Sequence, residues 1–177
     1  FSTENWKRPT KEVEGLLKLF SNSISRESKK IHSNNIKLKF IGDTSIFKES
    51  LQLKIKEIEK ETLRNKRLVL NVALNYGGRL DIVNSVNKFY NNKKKINKIT
   101  EKNINSGLFT KGQSDVDLLI RTGGQQRMSN FLLWQSAYAE LFFSKKLWPD
   151  FDEKVFVDAL YFFQNTERKF GSISKNT

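Results

Sequence analysis

Apolar positions recur along this chain at two different periods, and the switches between them mark its elements. After Pro9, a residue suited to the start of a helix, Val13, Leu16, Leu17, Phe20, Ile24 and Ile31 fall at helical spacing and predict a long amphipathic helix ending near Asn34. Ile36, Leu38 and Phe40 then alternate with Lys37 and Lys39, the pattern of a half-exposed strand running into Gly42-Asp43. Leu51, Ile55, Ile58 and Thr62 mark a second helix. Leu68 to Leu74, with Asn71 its only polar residue, predicts a buried parallel strand. Past a turn at Gly77-Gly78, the residues Leu80, Val83, Val86 and Tyr90 keep one face of a third helix. Leu118 to Ile120 predicts a short strand ending at Arg121, Phe131, Leu132, Gln135 and Tyr138 a helix, and Ala139 to Phe143 a further strand. A last helix, outlined by Val155, Phe156, Ala159, Leu160 and Phe163, follows Trp148-Pro149-Asp150.

Strands alternating with helices at this spacing imply the α/β class, with an open, mainly parallel sheet flanked by helices. No repeat or linker interrupts the chain, so one domain is expected over residues 1–177. In such sheets ligands lie outside the carboxyl ends of the strands. The segments to watch are therefore Gly42-Asp43, Asn75 to Arg79 and Arg121 to Asn130.

Composition narrows the partner. Lys plus Arg number 32 against 19 Asp plus Glu, a net charge of +13, which favours an anionic ligand or surface. Asn91 to Lys98, with Lys93, Lys94 and Lys95 consecutive, is expected to be a solvated loop supplying part of that excess. A nucleic-acid-binding domain is the rival from another class, but the basic run holds no aromatic residue and the aromatics fall in core-like patterns. The absence of cysteine removes disulfides, thiolate nucleophiles and zinc–thiolate sites, and makes a reducing compartment the default. No apolar run approaches the roughly 20 residues of a spanning helix. A cytoplasmic location with at most peripheral membrane contact is expected.

The richest segment is Arg121-Thr-Gly-Gly-Gln-Gln-Arg127-Met-Ser129-Asn130, where two arginines and a hydroxyl flank a glycine turn ahead of a predicted helix. Guanidinium groups grip phosphate oxygens in pairs, and a helix N-terminus would add unpaired N–H groups. A diphosphate is a natural guest. The alternative is that Ser129 merely caps a helix and the arginines pair with surface acids. Glu140 lies inside an apolar run, where a buried carboxylate needs a partner or a metal; pointing to an exposed face is the other option. Asp115 and Asp117 precede their strand, at the end opposite the expected site. Asp150, Asp152 and Glu153 read as a turn and a helix start, and His32, the only histidine, as a surface residue.

These residues resemble a known family. Phe1-Ser-Thr-Glu-Asn-Trp-Lys-Arg-Pro9, Asn75-Tyr-Gly-Gly-Arg79, Ile120-Arg-Thr-Gly-Gly-Gln-Gln-Arg-Met-Ser-Asn-Phe-Leu-Leu-Trp134, Ala137-Tyr-Ala-Glu-Leu141 and Leu147-Trp-Pro-Asp-Phe151 are similar, in order, to cis-prenyltransferases of the undecaprenyl diphosphate synthase type. The resemblance implies condensation of isopentenyl diphosphate with an allylic diphosphate, farnesyl diphosphate being expected, to a long-chain polyprenyl diphosphate. It implies that Arg121, Arg127 and Ser129 bind the diphosphate of isopentenyl diphosphate and that Glu140 positions Mg2+ there. It also implies that Ser2, Asn5, Trp6 and Arg8 line the reaction centre, with Asn5 in a catalytic place. Phe20, Leu68, Leu70 and Val72 are candidate walls of an apolar product tunnel, and a homodimer is implied.

Two departures stand out. Family members carry an earlier Asp-Gly-Asn segment followed closely by Arg, which this sequence lacks, and the chain opens on Phe1 rather than Met. It is therefore expected to be the later part of a single cis-prenyltransferase domain, without synthase activity alone. A non-catalytic subunit of a prenyltransferase complex is a further alternative, against which the intact Arg121, Arg127, Ser129 and Asn5 argue. The second departure is Gln125, where the resemblance leads one to expect Glu.

Overall fold

The first long apolar stripe forms helix α1 over Thr10–Ser33, with Pro9 immediately before it and Asn34 closing it. The chain then runs through strand β1 (Ile36–Ile41), helix α2 (Glu49–Glu61), strand β2 (Leu68–Ala73), helix α3 (Gly78–Tyr90), helix α4 (Glu101–Gly107), strands β3 (Leu118–Arg121) and β4 (Glu140–Phe143) and helix α5 (Glu153–Gln164). This computed structural model describes residues 1–90 and 98–168. Of the lysine-rich loop expected at Asn91 to Lys98, residues 91–97 lie outside the described residues. Contacts divide the chain into two compact units, Phe1–Lys111 and Gly112–Thr177, taken separately below.

In the first unit β1 and β2 pair in parallel, from Ile36 opposite Leu68 to Ile41 opposite Ala73. Alternation puts Leu38 and Phe40 on the face that meets both helices. Leu38 is buried with Ile24 of α1 and Ile58 of α2, and Phe47, Leu51, Ile55 and Leu74 form an adjoining cluster. The outer edge of β1 would leave N–H groups unpaired, which is costly when water is excluded. Side chains of the α2 region supply the acceptors. Leu38 N donates to Thr62 Oγ1 at 3.0 Å and Phe40 N to Glu59 Oε1 at 2.8 Å. Thr62 is fully buried and passes its own proton to Ile58 O at 2.9 Å, so α2 closes the sheet edge it lies along.

Two expectations need correcting here. β2 is parallel, but its first half is not buried: Leu68, Val69 and Leu70 are exposed, because the core clusters reach only Val72 and Leu74. The face that α3 buries is also not its apolar stripe. Val83 and Tyr90 are exposed, whereas Asp81 and Ser85 are fully buried. Their polar atoms are matched: Asp81 accepts from Tyr76 Oη at 3.0 Å and Phe109 N at 2.8 Å, and Ser85 Oγ donates to Ile104 O at 2.7 Å. These bonds fasten α3 to α4 and to the exit of β2, a reason for polar burial that apolar spacing does not register.

In the second unit β3 and β4 pair in parallel, Leu118 opposite Glu140 and Arg121 opposite Phe143. Asp152 caps α5 through Val155 N at 2.9 Å, as a helix start should. The helix expected at Phe131 to Tyr138 does not form; that stretch is a succession of turns. Ser129, Asn130 and Leu132 adopt left-handed φ values of 46°, 60° and 45°, which a right-handed helix cannot accommodate.

Candidate active site

The carboxyl ends of the strands carry the polar chemistry in both units. In the first, the opening segment is stitched to the exit of β2. Thr3 N donates to Tyr76 O at 3.1 Å and Tyr76 N to Phe1 O at 3.3 Å, with Ser2 bridging Tyr76 in parallel. Asn5 Oδ1 accepts from Ser2 N at 2.6 Å, tying off the short 3-10 helix Thr3–Lys7. Trp6 stands edge-on to Phe1, with ring centroids 5.2 Å apart, and 6.0 Å from Phe47. Its indole Nε1 donates to Asn75 Oδ1 at 2.8 Å. Arg8 leans back along α1 to pair with Glu12, and both side chains are about half exposed.

Asn75 is the residue that sequence reasoning did not single out. It is buried, holds a φ of 48°, accepts the Trp6 indole hydrogen bond at Oδ1, and donates from Nδ2 to Asp43 O at 2.9 Å. One amide thus joins the exits of β1 and β2 to the Trp6 loop. The available signal was its place just past an apolar strand, in an Asn able to take a left-handed conformation. Gly42, with φ of 116°, lets the β1 exit press against Leu74 O.

In the second unit Arg121 ends β3 and reaches across the following turn. Its Nη1 donates to Ser129 Oγ at 2.7 Å and to Arg127 O, and Arg127 Nη1 donates to Gln125 Oε1. The turn between them is built on Gly123 and Gly124, with φ values of 88° and 73°. Its backbone is pinned from the other strand: Gly123 N donates to Lys146 O at 2.8 Å and Gly124 N to Ser144 O at 2.9 Å. Lys145 and Lys146 are thereby tethered beside the loop.

Arg121, Arg127 and Ser129 are thus brought together, and among the described residues neither arginine has a carboxylate partner. The alternative in which these arginines pair with surface acids fails. So does the helix-cap alternative for Ser129, since no helix follows. The same fact removes the helix N-terminus as a source of N–H groups for the cradle. What remains is an exposed loop with two uncompensated guanidinium groups and a hydroxyl, arranged to take a phosphate-like anion. Gln125 fits this reading: it accepts from Arg127 without neutralising it, where a glutamate would form an ion pair.

Glu140 sits elsewhere in the second unit. Its register partner is Leu118 rather than Arg121, a separation of roughly 10 Å along the strands. Its N–H donates to Asp117 O at 2.9 Å, and its carboxylate lies 3.9 Å from Arg168 Nε. Asp117, which precedes β3 as expected, pairs with Arg168 at 2.7 Å. Among the described residues no group of three or more acidic, histidine or cysteine side chains could hold a metal by itself. Mg2+ commonly takes only one or two carboxylates and completes its shell with substrate phosphate and water. Glu140 fits that mode, not a closed cage, while Asp117 is taken up by Arg168. His32 is an exposed residue of the last turn of α1, beside Asn65.

Residues 1–171 match the family model described as putative undecaprenyl diphosphate synthase. The chain is 50% identical over 175 residues to the ditrans,polycis-undecaprenyl-diphosphate synthase ((2E,6E)-farnesyl-diphosphate specific) of Pasteurella multocida, covering 97% of this chain and 73% of that one. It is 49% identical to the enzyme of that name from Haemophilus ducreyi, covering 97% and 72%. Among solved structures, a probable undecaprenyl diphosphate synthase from Campylobacter jejuni superposes with a TM-score of 0.88 at 36% identity, over 97% of this chain and 80% of that one. Lavandulyl diphosphate synthase from Lavandula x intermedia, solved with dimethylallyl diphosphate, superposes with a TM-score of 0.91 at 34% identity, over 97% and 76%.

Proposed function

The chain belongs to the undecaprenyl diphosphate synthase family of cis-prenyltransferases, and from that premise we propose how its own residues divide the reaction. The substrates are isopentenyl diphosphate and an allylic diphosphate, farnesyl diphosphate being the primer named for the relatives. Arg121, Arg127 and Ser129 bind the diphosphate of isopentenyl diphosphate. The observation that carries this is the pair of guanidinium groups without carboxylate partners among the described residues, gathered with Ser129 by a pinned glycine turn.

The reaction breaks the allylic C1–O bond and releases pyrophosphate. The terminal double bond of isopentenyl diphosphate attacks C1, and loss of a proton from its C2 leaves the new cis double bond. Arg121 and Arg127 hold the condensing partner in place, which is positioning and electrostatic stabilisation at once. Trp6, Asn5, Ser2 and Arg8 shape the reaction centre, Asn5 by fixing the loop that Trp6 stands on. Mg2+, which cis-prenyltransferases generally use, would neutralise charge on the departing pyrophosphate. Glu140 would hold it together with substrate oxygens.

Phe20 and Val72 pack into the core clusters, so the tunnel wall is assigned to Leu68 and Leu70, which stand exposed at 53% and 39%. The reading treats both units as parts of one prenyltransferase domain, supported by a family match that spans them. It also places the protein in the cytoplasm, with at most peripheral membrane contact; recovery in a salt-washed membrane fraction would argue against this. No helix among the described residues is long and apolar enough to cross a membrane.

The direct test is calorimetric titration with isopentenyl diphosphate in the presence of Mg2+. Saturable one-to-one binding, weakened by inorganic pyrophosphate as competitor, is expected. Absence of binding, or tighter salt-dependent binding to DNA or RNA, would sink the reading. A homodimer is part of it. Helix α5 buries only Ala159 and exposes Phe156, Val157, Leu160, Tyr161 and Phe162, an apolar surface of the kind that marks an interface. Sedimentation velocity is expected to show a dimer that Leu160→Lys shifts to monomer; a monomeric native protein would refute it.

A further inference from the structure

The geometry points to Arg168 as the residue that positions Glu140. This rests on the reading of Glu140 as the carboxylate on the magnesium side of the site. Arg168 follows α5 and turns its guanidinium onto the amino end of the β3–β4 pair. Nη1 donates to Asp117 Oδ1 at 2.7 Å, Nη2 donates to Tyr138 O at 3.2 Å, and Nε lies 3.9 Å from Glu140 Oε1. The guanidinium carbon sits 5.5 Å from the centre of the Phe163 ring.

The division of these contacts carries the argument. Hydrogen bonds go to Asp117 and to the carbonyl two residues before Glu140, and the ring supports the cation from α5. Arg168 is therefore anchored independently of the Glu140 carboxylate and faces it at ion-pair distance without a short bond to it. Its side chain is 21% exposed and that of Glu140 25%, so water screens the attraction only in part. The carboxylate is held in one place, beside a cation that approaches it no closer than 3.9 Å. A partner in this position orients a metal-binding carboxylate without being a ligand itself. Lysine would keep the charge but lose the planar fork that reaches two acceptors and still faces a third. Arg168 is a positioning residue, and it acts through Glu140.

Manganese(II) serves as the probe, its free ion counted by electron paramagnetic resonance in a titration of the full chain with saturating isopentenyl diphosphate. Arg168→Gln is expected to weaken manganese binding by about tenfold or more. In the Glu140→Gln background the same change should cost less than about twofold, because two residues that act as a unit are not additive. Arg168→Lys guards against misfolding: with an unchanged thermal midpoint it is still expected to lose manganese affinity. Native affinity in either Arg168 variant overturns the inference, as does an equal loss in both Glu140 backgrounds, which would make Arg168 a general clamp. If Glu140→Gln alone binds manganese as tightly as the native chain, the failure lies with the reading of Glu140.

Discussion

Arg121→Ala is expected to weaken binding of isopentenyl diphosphate by roughly 10- to 150-fold, the loss of one hydrogen-bonded charged contact at about 1.5–3 kcal/mol. Arg121 has a rigid base at the end of β3 and a far end that bonds both Ser129 Oγ and Arg127 O. Removing it takes away one fork and also releases the segment that presents the other two groups. Arg127, whose guanidinium bonds locally to Gln125, should cost less when truncated. Arg121→Lys keeps the charge without the planar fork and is expected to fall between the two. Titration calorimetry with isopentenyl diphosphate and with pyrophosphate measures all three variants. Because the side chain is only half-buried and its bonds stay within one loop, the thermal midpoint should barely move. Binding within twofold of native in Arg121→Ala would remove the cradle from the mechanism.

This cluster was legible in the sequence because its chemistry is contiguous: Arg121, Arg127 and Ser129 lie within one loop after an apolar strand. The same was true of α1 and α2, where packing against a neighbour follows the apolar stripe. The failures have a common physical cause. Phe131, Leu132, Gln135 and Tyr138 imitate helical spacing, but three nearby residues in left-handed conformations forbid the helix. On α3 the buried groups are Asp81 and Ser85, whose partners lie 28 and 19 residues away. For the same reason Asn75 stood out only as the start of a segment, with no role of its own, and Arg168 escaped notice. Asn75 meets Trp6 across 69 residues and Arg168 meets Asp117 across 51, and neither pairing leaves a periodic trace. Side chains that join distant elements acquire their role from the fold, so local pattern finds the elements and misses the ties between them.

The tie most exposed to test is at Gly42. A glycine replaced by alanine gains about 0.4–1 kcal/mol where the backbone tolerates it, through the unfolded chain. Gly15, inside α1 with open space where its Cβ would stand, should behave so. At Gly42 the sign reverses. Its φ is 116°, and an added Cβ would lie 2.1 Å from Leu74 O and 3.1 Å from the carbonyl carbon of Asn75. Both obstacles are backbone, and Leu74 is itself a buried core residue bonded through its N–H to Ile41 O at 2.9 Å. Overpacking of about 1–3 kcal/mol and a left-handed penalty of about 1–2 kcal/mol add to roughly 2–5 kcal/mol of lost stability. For a chain of this size that lowers the thermal midpoint by about 10 °C. The displacement should also travel to the site, because Asn75 receives the push and holds the Trp6 indole. Gly42→Ala is therefore expected to weaken near-ultraviolet circular dichroism from the Phe1, Trp6 and Phe47 rings below the melting transition, and Gly15→Ala to leave it unchanged. A Gly42→Ala protein that melts with the native one would mean that the exits of β1 and β2 are not locked together, and with them the orientation of Trp6.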